Sequence, residues 1–90
     1  MIYRIEFTPS ARKQFARLPR GIVRRIDAHI LALAENPFPA GAKKLIESPG
    51  LFRIRVGDYR VVYTVEHHAL IILVVRIGHR KEVYRNPSAR

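Results

Sequence analysis

Arg53, Arg55 and Arg60 flank the dipeptide Gly57-Asp58 within the run from Leu51 to Tyr63. A guanidinium carries five N–H donors in a planar fork and can pair two phosphate oxygens at once. Three of them on one surface would grip a phosphodiester, and RNA phosphate is the expected ligand. A two-residue loop at Gly57-Asp58 sets Val56 opposite Tyr59, Arg55 opposite Arg60, Ile54 opposite Val61 and Arg53 opposite Val62. Phe52, Ile54, Val56, Tyr59, Val61, Tyr63 and Val65 then face a core, and the three arginines share the other, exposed face. A slip of one residue would bury the arginines, so the register is strongly specified. Like charges directly opposite across a ladder destabilise it, which points to a missing anion. The competing reading is edge protection by solubilising charge, a task usually given to lysine.

A second set of basic and aromatic residues lies in Arg76-Ile77-Gly78-His79-Arg80-Lys81-Glu82-Val83-Tyr84-Arg85. The Tyr84 ring can stack on an unpaired base, a contact typical of single-stranded RNA recognition, or it can fold back on the core as an amphipathic side chain. Lys43, Lys44, His79 and Lys81 are expected to add RNA contacts to those of Arg53 and Arg55. Other chemistries find little support. The carboxylates Glu6, Asp27, Glu35, Glu47, Asp58, Glu66 and Glu82 are scattered without metal-ligand spacing, and Asp58 is better read as a turn former. His29 and the adjacent pair His67-His68 lack the spacing that lets imidazoles share a metal. There is no cysteine, no glycine-rich phosphate loop and no Ser-His-Asp order. Neither a metal nor a cofactor is expected.

Ninety residues suffice for one small core and one domain, spanning 1–90. The chain carries 17 Lys plus Arg against 7 Asp plus Glu, a formal charge of +10. That excess costs self-repulsion in the compact state and calls for a polyanionic counterpart, whether nucleic acid, acidic protein or anionic membrane. The longest apolar stretch, Ala69 to Val75, is too short to span a bilayer. The alternating N-terminus lacks a secretory pattern, so a cytoplasmic location without membrane association is expected.

The elements that must position these groups follow from periodicity. Ile2 to Phe7 alternates as a half-buried strand. Thr8 is placed to cap a first helix with Pro9 at its first position and Ala11, Phe15 and Leu18 at helical spacing. Pro19 and Gly21 interrupt it, and a second helix is expected from about Gly21 to Glu35 with Ile22, Ile26, Ile30 and Leu33 inward. The segment 36–41 reads as a turn-rich connector. Three strands then follow in 51–56, 59–65 and 69–77. The prediction is an α+β domain of order β-α-α-β-β-β, with two helices on one face of a four-stranded, largely antiparallel sheet and a poorly ordered tail at 85–90. The uncovered sheet face should carry the function.

With these motifs in view, the chain resembles the RelE/ParE superfamily of bacterial type II toxins over almost its whole length. The resemblance is carried by Ile5-Glu6-Phe7, Ala11, Leu18-Pro19 and Lys43-Lys44-Leu45, and above all by residues 53–63 (RIRVGDYRVVY) and 78–84 (GHRKEVY). It implies a toxin of the RelE branch that cuts messenger RNA in the ribosomal A site without a metal and contacts ribosomal RNA. An acidic antitoxin would hold it inactive in a hetero-oligomeric complex. By position, the branch's basic strand residues fall on Arg53 and Arg55, its strand arginine on Arg60, its phosphate-stabilising arginine on Arg80 and its C-terminal tyrosine on Tyr84. Arg60, Arg80 and Tyr84 thereby become the expected catalytic residues.

Arg53 and Arg55 stand where studied RelE-type toxins have lysines, and arginine does not deprotonate near neutral pH. Arg60 and Arg80 would stabilise charge on the phosphate. The general base is left between Tyr84, with a pKa lowered by neighbouring arginines, His79, and the ribosome itself. Two other functions stay open: a ParE-like toxin that poisons DNA gyrase without nuclease activity, and a non-catalytic RNA- or protein-binding module.

Overall fold

The computed structural model describes residues 2–79. Its elements are β1 (Arg4–Phe7), α1 (Pro9–Ala16), α2 (Arg20–Leu33), β2 (Lys43–Lys44), β3 (Phe52–Val56), β4 (Tyr59–Glu66) and β5 (Ile71–His79). They build one sheet in the order β1-β5-β4-β3-β2. The β1–β5 pair is parallel and the others are antiparallel. The two-helix, largely antiparallel α+β plan thus stands, with a fifth strand in place of the expected four. That strand, β2, pairs Lys43 with Arg53 and Lys44 with Phe52. Two residues carry no periodicity of their own, so only pairing with β3 makes them a strand.

Local chemistry sets the helices. The Thr8 hydroxyl accepts from the Ala11 N–H at 3.1 Å and donates to the Val75 carbonyl at 3.2 Å, so one side chain caps α1 and fastens it to β5. Helix α2 starts behind Pro19, which supplies no side-chain cap. It ends two residues before the expected Glu35, where Asn36 N–H bonds back to Ala32 and the chain extends into Pro37. Ala11, Ile26, Ile30 and Leu33 of the helices pack on Ile54, Val56, Val61, Tyr63, Ile72, Val74 and Ile77 of the sheet. No helix among the described residues is long and apolar enough to cross a membrane.

Among the described residues, Tyr63 is the largest fully buried side chain. Its hydroxyl donates to the Pro37 carbonyl at 2.7 Å and so ties the connector to the core. Burial disfavours the phenolate and pushes the Tyr63 pKa up to about 12. Nearby, Phe52 lies between Tyr63 and Phe38, at ring distances of 5.9 and 4.9 Å. His67 joins this end: its Nδ1 is 3.0 Å from the Tyr3 hydroxyl and its ring lies 6.0 Å from that of Phe38.

The β3–β4 hairpin has the register the alternation predicts, from Phe52 opposite Tyr63 to Val56 opposite Tyr59. Gly57 takes a φ of +62°, which an L side chain adopts only with strain. The β4–β5 ladder holds a feature the sequence pattern does not announce. Val62 opposes Arg76 but Tyr63 opposes Val74, so Val75 is an extra residue in a bulge. Strict alternation from Ile72 and Val74 would send Arg76 into the core. The bulge shifts the parity, burying Ile77 and turning Arg76 outward.

Candidate nucleic-acid interface

Two rows of side chains cross the sheet on the face away from the helices. The first runs Lys43, Arg53, Val62, Arg76 over β2, β3, β4 and β5, and the second runs Arg55, Arg60, Gly78 over β3, β4 and β5. Neighbours in a row lie about 4.8 Å apart and the rows about 7 Å apart. Lys43, Arg53, Arg55, Arg60 and Arg76 therefore converge, and neither row holds a carboxylate. This is an electropositive array of phosphodiester dimensions; Val62 at its centre is buried, only 4 % exposed, so the expectation of a wholly uncovered face is corrected there.

The arginines do not stand equally tall. Arg55 is exposed, Arg53 half-buried, and Arg60 only 5 % exposed, so the expectation of three exposed arginines is corrected at Arg60. Gly78, opposite Arg60, adds no side chain to the second row. Arg55 meanwhile turns to the loop, where its Nε donates to the Gly57 carbonyl at 3.3 Å. Different depths ease the repulsion between these directly opposed cations. A charge held as deep as Arg60 is less screened by solvent and acts more strongly on an anion placed above it.

The second half of β5 needs separate support, because β1 pairs only as far as Val74. Thr8 takes over with its N–H on the Val74 carbonyl and its hydroxyl on that of Val75. Beyond it, the Gln14 side-chain oxygen accepts from the Ile77 N–H at 2.7 Å. Two side chains of the α1 region thus hold the bulged segment that presents Arg76 and Gly78. Sequence reasoning missed Gln14, yet a signal existed: it is a polar residue on the helix face shared with Ala11, Phe15 and Leu18.

Other expected site residues separate from the rows. Lys44, exposed at the sheet edge, pairs with Phe52 and so belongs to the other face. His79 pairs with Tyr59 on the helix side, its ring 5.5 Å from the tyrosine ring. Arg80, Lys81 and Tyr84, together with the tail at 85–90, lie outside the described residues. A residue that no motif suggested, Arg25 of α2, closes over the hairpin loop: a methyl group on Gly57 would sit 3.5 Å from its Nη1.

The family model for the ParE toxin of type II toxin–antitoxin systems matches residues 5–84. The chain belongs to this family. Relatives carry RelE-type names, in keeping with the RelE/ParE superfamily. Toxin RelG of Mycobacterium tuberculosis is 29% identical over 86 residues, covering 94% of this chain and 99% of that one. Toxin RelE of the same organism is 33% identical over 89 residues, covering 94% and 90%. The crystal structure of the RelE–RelB complex from Pyrococcus horikoshii superposes with a TM-score of 0.76 at 29% identity, covering 89% of this chain and 97% of that one. The protein is therefore a toxin of a type II system, and the cationic rows lie on the sheet of a RelE-type fold.

Proposed function

We propose that the toxin is a metal-free endoribonuclease that cuts messenger RNA in the ribosomal A site. The observation that carries this reading is the pair of cationic rows on the sheet face away from the helices, with the buried Arg60 as their floor. In such a reaction a ribose 2′-hydroxyl attacks the adjacent phosphorus, the bond to the 5′-oxygen breaks, and a cyclic phosphate remains. Charge builds on the phosphate oxygens as the new bond forms. Arg60 and Arg80 would stabilise that charge, Arg53 and Arg55 would hold and orient the strand, and Lys43 and Arg76 would extend the grip along the backbone. Tyr84 is the proposed proton acceptor; the contact between His79 and Tyr59 supports a positioning role for the histidine.

RelE-type relatives were solved with RelB partners. With the charge of +10, this supports an acidic antitoxin as the toxin's own partner. Co-expression with the neighbouring reading frame and a pull-down should recover the complex. For the nuclease reading, purified toxin is added to translating ribosomes and the messenger is mapped for breaks ending in cyclic phosphate. Cut messenger is expected. The ParE name of the family model favours one other reading, gyrase poisoning. Intact messenger together with gyrase-trapped DNA breaks would replace the nuclease reading by that one.

A further inference from the structure

We propose that Gln14 of α1 is a positioning residue for cleavage. Its side-chain oxygen stands in for the partner strand that β5 lacks beyond Val74, and so fixes the segment 75–79, which presents Arg76 and which Arg80 follows in the chain. Strand β4 flanks all nine residues of β5, whereas on the other edge β1 accompanies them only from Ile71 to Val74. Past Phe7 the chain leaves the sheet and enters α1 at Pro9. Among the described residues no other strand takes over that edge. It is met instead by the Thr8 N–H on the Val74 carbonyl at 2.9 Å, the Thr8 hydroxyl on the Val75 carbonyl at 3.2 Å, and Gln14 Oε1 on the Ile77 N–H at 2.7 Å.

Besides the missing neighbour, two features loosen this half of β5. The bulge at Val75 disrupts the ladder to β4, and Gly78 brings the backbone freedom of glycine into the strand interior. Gln14 acts between them, at Ile77, whose side chain is only 2 % exposed. The residues on either side of Ile77 are Arg76 and Gly78, the β5 members of the two rows. A bulge re-aims a side chain; here the re-aimed segment is held from α1.

The choice of residue fits this task. Gln14 lies on the α1 stripe with Ala11, Phe15 and Leu18, where an apolar side chain would pack on the sheet. It is half-buried, and an amide placed there costs free energy unless it is hydrogen-bonded. Its bond joins residues 63 apart in sequence, so it organises tertiary structure and not the helix itself. Thr8 shares the load but also caps α1, which makes Gln14 the cleaner handle. The positioning role rests on the proposed nuclease function, in which Arg80 would stabilise charge on the phosphate. Lys43, Arg53, Arg55 and Arg60 stand on β2, β3 and β4 and can hold the strand without Gln14. Losing Gln14 should therefore slow the chemical step and spare binding, because a small misplacement of a charge-stabilising group is felt mainly in the transition state.

The test measures kcat and KM for cleavage of ribosome-bound messenger by the full-length toxin and its Gln14→Leu and Gln14→Glu variants, at a temperature where circular dichroism shows all three folded. Leucine suits the apolar stripe and has no acceptor, whereas glutamate keeps an acceptor oxygen at the same reach. Gln14→Leu is expected to lower kcat about tenfold or more with KM within about twofold of wild type, and Gln14→Glu to restore kcat to within about threefold. Tyr63→Phe, which weakens the fold at the connector end, should leave both constants at wild-type values. Equal kcat for Gln14→Leu and wild type would overturn the proposal. So would equal losses in Gln14→Leu and Tyr63→Phe, or in Gln14→Leu and Gln14→Glu, which would reduce Gln14 to a structural role. A wild-type toxin that leaves messenger intact would end the nuclease reading and the positioning role with it, a result distinct from the others because it is seen without any variant.

Discussion

The two ends of the β3–β4–β5 sheet are built on opposite terms. At the connector end, Tyr63, Phe52, Phe38, Tyr3 and His67 form an aromatic network, tied down by the hydroxyls of Tyr63 and Tyr3. On the neighbouring strand β1, Arg4 is paired with Glu6 at 3.0 Å. At the hairpin end, Arg55 faces Arg60, Arg53 and Arg76 flank Val62, and a glycine at positive φ turns the chain. One end lowers the free energy of the fold through burial and satisfied hydrogen bonds, and the other sets like charges directly opposite one another across the ladder. The same strands run through both ends. A rigid aromatic end lets the sheet carry an electrostatically costly end in a fixed geometry, as a phosphate-gripping surface requires.

That contrast can be broken most severely at its stable end. Tyr63→Ala removes a fully buried ring and its hydrogen bond, and should cost about 3–5 kcal/mol, read as the shift in denaturant midpoint. At the cationic end, Arg60→Lys keeps a charge and removes the planar fork. It should lower cleavage of ribosome-bound messenger by about 10²-fold or more with little change in melting temperature; a loss within about twofold would take Arg60 out of the phosphate clamp. Gln14→Leu probes the join between the two ends. Leaving the Ile77 N–H without its acceptor should cost about 1–3 kcal/mol, and amide exchange should quicken at Val75 to Ile77 ahead of the rest of β5.

The smallest effect concerns the Tyr63 hydroxyl. Tyr63→Phe should cost about 1 kcal/mol at neutral pH. The alkaline limb supplies a second readout. With a native pKa of about 12 against an ordinary value of 10.0, the unfolded chain gives up this proton first. The unfolded state then binds fewer protons than the native state, and stability falls as pH rises from 10 through 12. Below pH 10 the contribution is fully present. The phenylalanine variant should lose less stability than wild type over that window, and parallel curves would contradict the buried-phenol account.

Much of the fold was legible because each step had a local cause. Alternation through Phe52, Ile54 and Val56 and a Gly57-Asp58 loop left one register open, and Thr8-Pro9 marked the start of α1. Three features escaped because they belong to contacts between distant segments. Strand β2 exists only against β3. The bulge at Val75 shows in the sequence merely as an arginine in a position that alternation would bury. The depth of Arg60 is not carried by alternation, which fixes only the face it stands on. Of the candidate site, the convergence of Arg53, Arg55 and Arg60 was legible from the hairpin alone, whereas Arg76 was an unspecified basic residue until the bulge aimed it. His79 is a parity question: it stands one residue beyond Gly78 and so falls on the Tyr59 side.

The central claim is that the hairpin-end cations sacrifice stability in order to act on RNA. The most direct measurement pairs the melting temperature of the Arg53→Gln/Arg55→Gln variant with its cleavage of ribosome-bound messenger. Relieving like charge across the ladder should hold or raise stability by some tenths of a kcal/mol, while cleavage falls about tenfold or more. A variant that melts lower than wild type and still cuts messenger at the wild-type rate would show that these arginines serve the fold, and would contradict the account.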